Sequence, residues 1–274
     1  MCELLAVSTS QPARLTFSLR RLAAHGAVTE LAHDGWGVAF YQGSDVALFR
    51  EPTAAADSEL VRFLERHGPT TKLAVSHIRH ATWGSVQFSN TQPFMRELGG
   101  FGHVFAHNGY LTGIDASPSL LSSALQPHDQ PLGQTDSEYA FCILMARMRS
   151  RWGAAGTPAL SSRMSLLTDF AKELRAFGAA NFLYADGDAL FAHGHKRASK
   201  LNGPLQAPGL WTLQRHRSPA QADPPHVAGV FAEHGRTAAV LVASVPLTHE
   251  SWQPLREGEL IAVQDGEIVA SAYP

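Results

Sequence analysis

Only two of the 274 residues are cysteine, Cys2 and Cys142. So sparse a pair builds no disulfide framework and suits a reducing compartment. The 22 lysines and arginines are matched by 24 acidic residues and form no basic run, so nothing in the charge pattern recruits a nucleic acid. No apolar stretch approaches a bilayer span, and no charged segment leads into an apolar one as in a secretory leader. No repeat of about 20–50 residues recurs. These absences argue against membrane and secreted classes and predict a cytoplasmic globular protein. With 45% hydrophobic and 17% charged residues it can bury a substantial core, in one large or two small domains.

What is present begins at Cys2. It opens Glu3-Leu4-Leu5-Ala6-Val7, an apolar run that reads as a buried strand. With Met1 removed, Cys2 carries a thiol and a free α-amine on one residue. The amine titrates at about pH 8 and the thiol at about 8.5, so a base and a nucleophile lie side by side. The competing reading is an ordinary apolar cysteine near a terminus. Cys142, between Phe141 and Ile143, reads as core filling.

Downstream, Ser10-Gln11-Pro12 predicts a helix start, with Leu15, Leu19 and Leu22 at helical spacing up to Gly26. Asp34-Gly35-Trp36-Gly37 is a turn into a hairpin, Val38–Tyr41 and Val46–Phe49, about Gly43-Ser44-Asp45. Its tryptophan is either an anchoring ring or a wall beside Cys2. Residues 56–66 predict a helix, and Lys72–Arg79 a strand that runs into His80-Ala81-Thr82-Trp83-Gly84. An arginine where a buried strand ends needs a carboxylate or several acceptors, and its fork suits bidentate carboxylate recognition. An internal salt bridge would serve equally.

Asn90-Thr91-Gln92-Pro93 reads as a polar loop. Asn108-Gly109, after the apolar run from Phe101, is a strong hairpin signal. An asparagine amide and a glycine N–H are also the two neutral donors of an oxyanion hole. Residues 115–134 read as a surface loop. Thr135-Asp136-Ser137-Glu138 is a capping box for a helix to about Arg151, with Asp136 favourable to the helix dipole. A second helix spans about 159–177. Strands at 181–184 and 189–193 flank Asp186-Gly187-Asp188, two more lie at 209–213 and 237–243, and the last two close around Asp265-Gly266. Between them, 215–235 reads as a long loop. His77 and His80 would point to opposite faces of a strand, and His193-Gly194-His195 lacks further ligands, so neither metal nor cofactor is expected. The elements do not alternate as βαβ units do, which fits two mostly antiparallel sheets with helices packed outside.

Taken together, Met1-Cys2, Asp34-Gly35-Trp36-Gly37, Arg79-His80-Ala81-Thr82-Trp83-Gly84, Asn90-Thr91-Gln92-Pro93, His107-Asn108-Gly109 and Thr135-Asp136-Ser137-Glu138 resemble the class II glutamine amidotransferases, N-terminal-nucleophile (Ntn) hydrolases. The likeness is strongest to the small stand-alone YafJ-like and EgtC-like type. It implies an α+β fold, a four-layer αββα sandwich with the first strand central, over a single domain 1–274. It also implies roles. Cys2 matches the nucleophile and its α-amine the base, while Asn108 and Gly109 match the oxyanion hole. Arg79, with Thr82 beside it, matches the group that holds the substrate α-carboxylate, and Asp136 the one that pairs with its α-ammonium. The large synthases commonly carry histidine where this chain has Trp83.

The expected reaction is hydrolysis of glutamine or another γ-glutamyl amide through a cysteine thioester, on a small-molecule substrate with neither nucleic acid nor membrane involved. The alternatives are an ammonia-donating subunit of a multi-protein amidotransferase and a non-catalytic glutamine-sensing module. Because the chain ends at Pro274, no synthase domain is expected to follow, and the amine or ammonia would depart to solvent or to a separate partner protein.

Overall fold

The computed structural model describes residues 2–14, 34–81, 83–117, 125, 129–152, 156–198, 203–216 and 237–273. The predicted helix at 15–26, Thr82 and most of the 215–235 segment lie outside them.

Fifteen strands are described, β1 (Glu3–Ala13), β2 (Trp36–Gln42), β3 (Asp45–Glu51), β4 (Thr71–Ile78), β5 (Phe94–Leu98), β6 (Phe101–Asn108), β7 (Asn181–Ala185), β8 (Leu190–His193), β9 (Arg197–Ala198), β10 (Leu205–Gln206), β11 (Trp211–Arg215), β12 (Ala239–Ala243), β13 (Gln253–Pro254), β14 (Leu260–Gln264) and β15 (Glu267–Ala272). The helices are α1 (Glu59–His67), α2 (Asp136–Arg149) and α3 (Leu160–Arg175). A seven-stranded sheet has the order β13-β11-β12-β1-β4-β2-β3 and a six-stranded one the order β15-β14-β8-β7-β6-β5, every pairing antiparallel. β9 and β10 form a separate ribbon.

The unbroken apolar run of β1 follows from burial on both faces. Leu4 and Ala6 join Val75, Val104, Ala106, Leu183, Val242 and Val263 in the layer between the sheets. Leu5 and Val7 face outward, where Trp36, Phe40 and Leu241 meet Val61 and Leu64 of α1. On the far side, Phe105, Phe182 and Phe191 pack beneath Phe141, Leu144, Leu167 and Phe170 of α2 and α3. The layers are therefore αββα, with β1 central in its sheet, as expected. Tyr41 ties the sheets together, its hydroxyl 2.8 Å from the carbonyls of both Gly102 and Ala185. No helix among the described residues is long and apolar enough to cross a membrane.

The structure corrects several local expectations. Ser10-Gln11-Pro12 continues β1 instead of capping a helix, with a register shift between Ser8 and Ala13. α1 starts at Glu59, where Ser58 accepts from the Val61 amide. Asn108-Gly109 makes no hairpin, because β6 pairs with β7 some seventy residues on; the hairpin partner of β6 is β5, turned at Gly99-Gly100. The capping box is half made. Thr135 Oγ1 accepts from the Glu138 amide, but the Glu138 carboxylate accepts from the Leu132 and Gly133 amides and pairs with Arg96 at 2.6 Å. The polar Asn90-Thr91-Gln92 stretch is buried.

Candidate active site

Cys2 immediately precedes β1 and is half-buried. Its Sγ lies 3.3 Å from the His80 amide, which donates to it, and 3.3 Å from the His80 carbonyl. Burial pushes the thiol pKa up, and the hydrogen bond from the His80 backbone pulls it back. The loop that carries His80 is fastened from Asp34-Gly35. Asp34 Oδ2 accepts from the Ala81 amide at 2.8 Å and lies 3.6 Å from His80 Nδ1, while the Gly35 carbonyl accepts from the Arg79 amide at 2.7 Å. Trp36 is fully buried under α1 and donates to Glu51, so it is the anchoring ring and not a wall of the thiol site. Gly37 permits close packing, since a Cβ there would meet the Gln92 carbonyl at 2.3 Å.

β6 carries the second half of the site from the opposite sheet. Alternation turns Val104 and Ala106 to the inter-sheet layer. Asn108 falls on that face and reaches across, its Nδ2 donating to the Cys2 carbonyl at 2.6 Å and lying 3.4 Å from Ser244 Oγ. Ser244 in turn accepts from the Leu4 amide, so Asn108 is fixed against the first strand. Asn181 Nδ2 donates to the Asn108 carbonyl at 3.0 Å and to the Lys196 carbonyl at 2.7 Å. Buried His107 bridges Ser137 Oγ at 2.9 Å and the Ala179 carbonyl at 3.0 Å, and burial holds its pKa down. Gln92 clamps the His107 backbone from the side, accepting from its amide at 2.6 Å and donating to its carbonyl at 3.2 Å. Gly109 is needed for contact, since a Cβ there would lie 1.8 Å from the Ala179 carbonyl oxygen.

Cys2, Asn108 and Gly109 open together onto one cavity of about 430 Å³. Asp136 lies apart from them, on a second cavity of about 330 Å³ that it shares with Trp83, Gln134 and Tyr139; Tyr110 borders both. Asp136 Oδ2 accepts from the Leu111 amide at 2.7 Å and Oδ1 from the Ser137 amide at 2.8 Å. Arg79 lines neither cavity. Its Nη1 donates to the Ser85 carbonyl and its Nη2 to those of Trp83 and Gly84, at 3.1–3.3 Å, so several backbone acceptors meet it in place of a carboxylate. Thr82 lies outside the described residues. Of the sequence-derived candidates, the structure thus joins three directly and sets Asp136 and Arg79 around the neighbouring loop.

Sequence reasoning missed Glu3, Asn181, Arg197 and Ser244. Glu3 and Arg197 form a buried pair at 2.8 Å, and Arg197 also donates to the Ser244 carbonyl. Burial raises the Glu3 pKa against the pull of Arg197. A carboxylate next to the cysteine inside an otherwise apolar strand was the one available signal. His193 and His195 are used on the backbone of Ala180, at 2.6 Å and 3.4 Å.

This geometry coincides with a family. The sequence pattern of the class II glutamine amidotransferases matches residues 1–274, and the chain belongs to that family, whose chemistry is hydrolysis of the glutamine amide. The protein YafJ of Escherichia coli (strain K12), named as a glutamine amidotransferase, is 32% identical over 266 residues, 94% of this chain and 96% of its own. A Haemophilus influenzae relative of like name is 28% identical, across 98% of this chain and 86% of its own. Among solved structures, one named as a glutamine amidotransferase, from Pseudomonas aeruginosa PA01, matches 98% of this chain and all of its own at 29% identity, with a TM-score of 0.65. Glutamine phosphoribosylpyrophosphate amidotransferase of B. subtilis shares the fold at a TM-score of 0.58 and 17% identity, over 99% of this chain and 49% of its own.

Proposed function

We propose that this protein hydrolyses the γ-amide of glutamine or of another γ-glutamyl amide through a thioester on Cys2, with its catalytic groups in one domain spanning 1–274. The observation that carries this reading is the convergence of Cys2, Asn108 and Gly109 on one cavity from facing sheets. The Cys2 α-amine, free once Met1 is removed, takes the thiol proton, and the His80 amide steadies the thiolate. Sulfur attacks the γ-carbonyl, and the oxyanion meets the Asn108 amide and the Gly109 N–H. Collapse breaks the C–N bond, and the α-ammonium returns its proton to the departing amine. Water then attacks the thioester and releases glutamate, restoring the thiol.

Asp136 takes the α-ammonium of the substrate. Arg79, assisted by Thr82, takes the α-carboxylate, which replaces carbonyl acceptors of the 83–85 loop on the Arg79 guanidinium. A charge at each side of the α-carbon fixes the distance from that end to the sulfur.

Incubation with a glutamine-mimicking electrophile, read by intact mass, is the test. The expected result is a single adduct on a chain that begins at Cys2, and no adduct or glutamate release from Cys2→Ser. An unlabelled protein that binds glutamine reversibly would instead be a sensor. Full activity in protein that retains Met1 would rule out the α-amine as base. Turnover only when a second protein is added back would favour the ammonia-donating subunit.

A further inference from the structure

We infer that the cavity beside Cys2 is a subsite for a substituted leaving amine, one with an apolar body and a carboxylate, and that Lys196 reads that carboxylate. This rests on the reading above, in which Asp136 holds the glutamyl end of the substrate. In any γ-glutamyl amide the α-ammonium and the leaving nitrogen lie on opposite sides of the scissile carbonyl. With the glutamyl end at Asp136 in the 330 Å³ cavity, the leaving group is directed past Cys2 into the cavity of about 430 Å³. Ammonia needs about the volume of one water, roughly 30 Å³. The space is more than ten times that.

Its lining names the chemistry. Phe177, Ala179 and Leu205 supply apolar surface, and Leu205 sits on the β9–β10 ribbon, half exposed. Lys196 and Arg197 bring two cations to the same wall. They are not equivalent. Arg197 is nearly buried, with Nη2 on Glu3 and Nη1 on the Ser244 carbonyl, so both of its terminal nitrogens serve the fold. Lys196 is 38% exposed, and its Nζ meets Glu257 Oε1 at 2.8 Å, with Glu257 itself 45% exposed. Such a solvent-facing pair is weak and exchanges readily, and an ammonium has three donors, so Lys196 can turn to a ligand carboxylate. The acidic partners of these two cations are Glu257 and Glu3. Glu3 is already paired, which leaves Glu257 as the group a ligand carboxylate must rival. An amine with an aromatic or branched aliphatic side chain and its own α-carboxylate, as in a γ-glutamyl dipeptide, satisfies both features.

The test compares kcat/KM of purified protein for glutamine, γ-L-glutamyl-L-phenylalanine and γ-L-glutamyl-L-phenylalaninamide, in the natural chain and in Lys196→Gln. The dipeptide is expected to be the best substrate, and its amide, which keeps the ring and lacks the charge, to fall behind by about tenfold, the scale of one charge-assisted hydrogen bond. Lys196→Gln should reduce the dipeptide to the level of its amide, mainly through KM, while glutamine stays within about twofold, inside the small effect of an exposed charge. Glutamate release from glutamine with the dipeptide slower, or an equal effect of Lys196→Gln on all three, overturns the subsite and leaves the hydrolase reading intact. Release from none of the three, by protein with a free Cys2 amine, overturns both.

Discussion

His77 offers a quantitative test of the inter-sheet layer. It lies on β4 opposite Leu4, fully buried, and neither ring nitrogen has a hydrogen-bond partner among the described residues. Burial, reinforced by the Arg79 charge, lowers its pKa to about 3. Above about pH 6.5 the imidazole is neutral in both the folded and unfolded chains. As the pH falls below that value, the unfolded chain takes up a proton that the native state refuses until about pH 3, so stability is lost downward through this window. With those two pKa values, one such histidine costs about 2 kcal/mol at pH 5 and about 0.1 kcal/mol at pH 7.5. His77→Leu removes the titration and the orphaned nitrogens together. The variant should be at least as stable as the natural protein at pH 7.5, and its advantage should grow by about 2 kcal/mol on going to pH 5. His103 and His193, buried with pKa values of about 4 and about 3, remain in both proteins and cancel. Equilibrium urea unfolding by tryptophan fluorescence measures the gap. With a slope of about 3 kcal/mol per molar, the midpoints should separate by a further ~0.7 M. A gap that is constant or narrows with acid would refute the argument that position 77 holds a neutral imidazole.

Three further outcomes follow from the geometry. Gly109→Ala forces a methyl group against the Ala179 carbonyl, so the N–H must move; kcat should fall on the order of 10²–10³-fold, with circular dichroism at 222 nm little changed. Unaltered kcat would remove Gly109 from the oxyanion site. Arg79→Lys keeps one charge but cannot reach three carbonyls as a planar fork does, so kcat/KM for glutamine should drop at least about tenfold. Arg163→Met leaves Asp186 buried without its 2.7 Å partner, neither residue lining either cavity, and should lower stability by about 3–5 kcal/mol in urea unfolding at pH 7.5. A loss of under about 1 kcal/mol would mean that the pair contributes no more than a surface ion pair.

Much of the fold was legible because its signals are local. Asp186-Gly187-Asp188 and Asp265-Gly266 turn hairpins where expected, with Asp265 at φ 46° and Gly266 at φ 77°. Thr135 caps α2. β5 was not legible, because Met95, Arg96 and Glu97 at a sheet edge alternate too little to stand out from a loop. Asn108-Gly109 misled as a turn because the pair is selected by another constraint, contact with Ala179. Asn90 and Gln92 looked like surface polarity, yet they are buried and satisfied by Ser85, Gln134 and the His107 backbone. The supports of Asn108, namely Ser244 and Asn181, lie 136 and 73 positions away. Nothing in a local window can reveal such contacts; the Asn181 one exists once β6 and β7 pair, and the Ser244 one only once the two sheets face each other.

A chain terminus is ordinarily where a protein frays. Here the first strand lies in the middle of a sheet, with β4 on one side of β1 and β12 on the other. Peeling residues 3–8 away would unpair both neighbours and split the layer that holds Leu4 and Ala6. Cheap local opening, the usual freedom of an end, is therefore denied to the residue that carries the thiol. Cys2 is joined directly to a strand paired on both sides, so its setting persists as long as the sheets do and disappears with them.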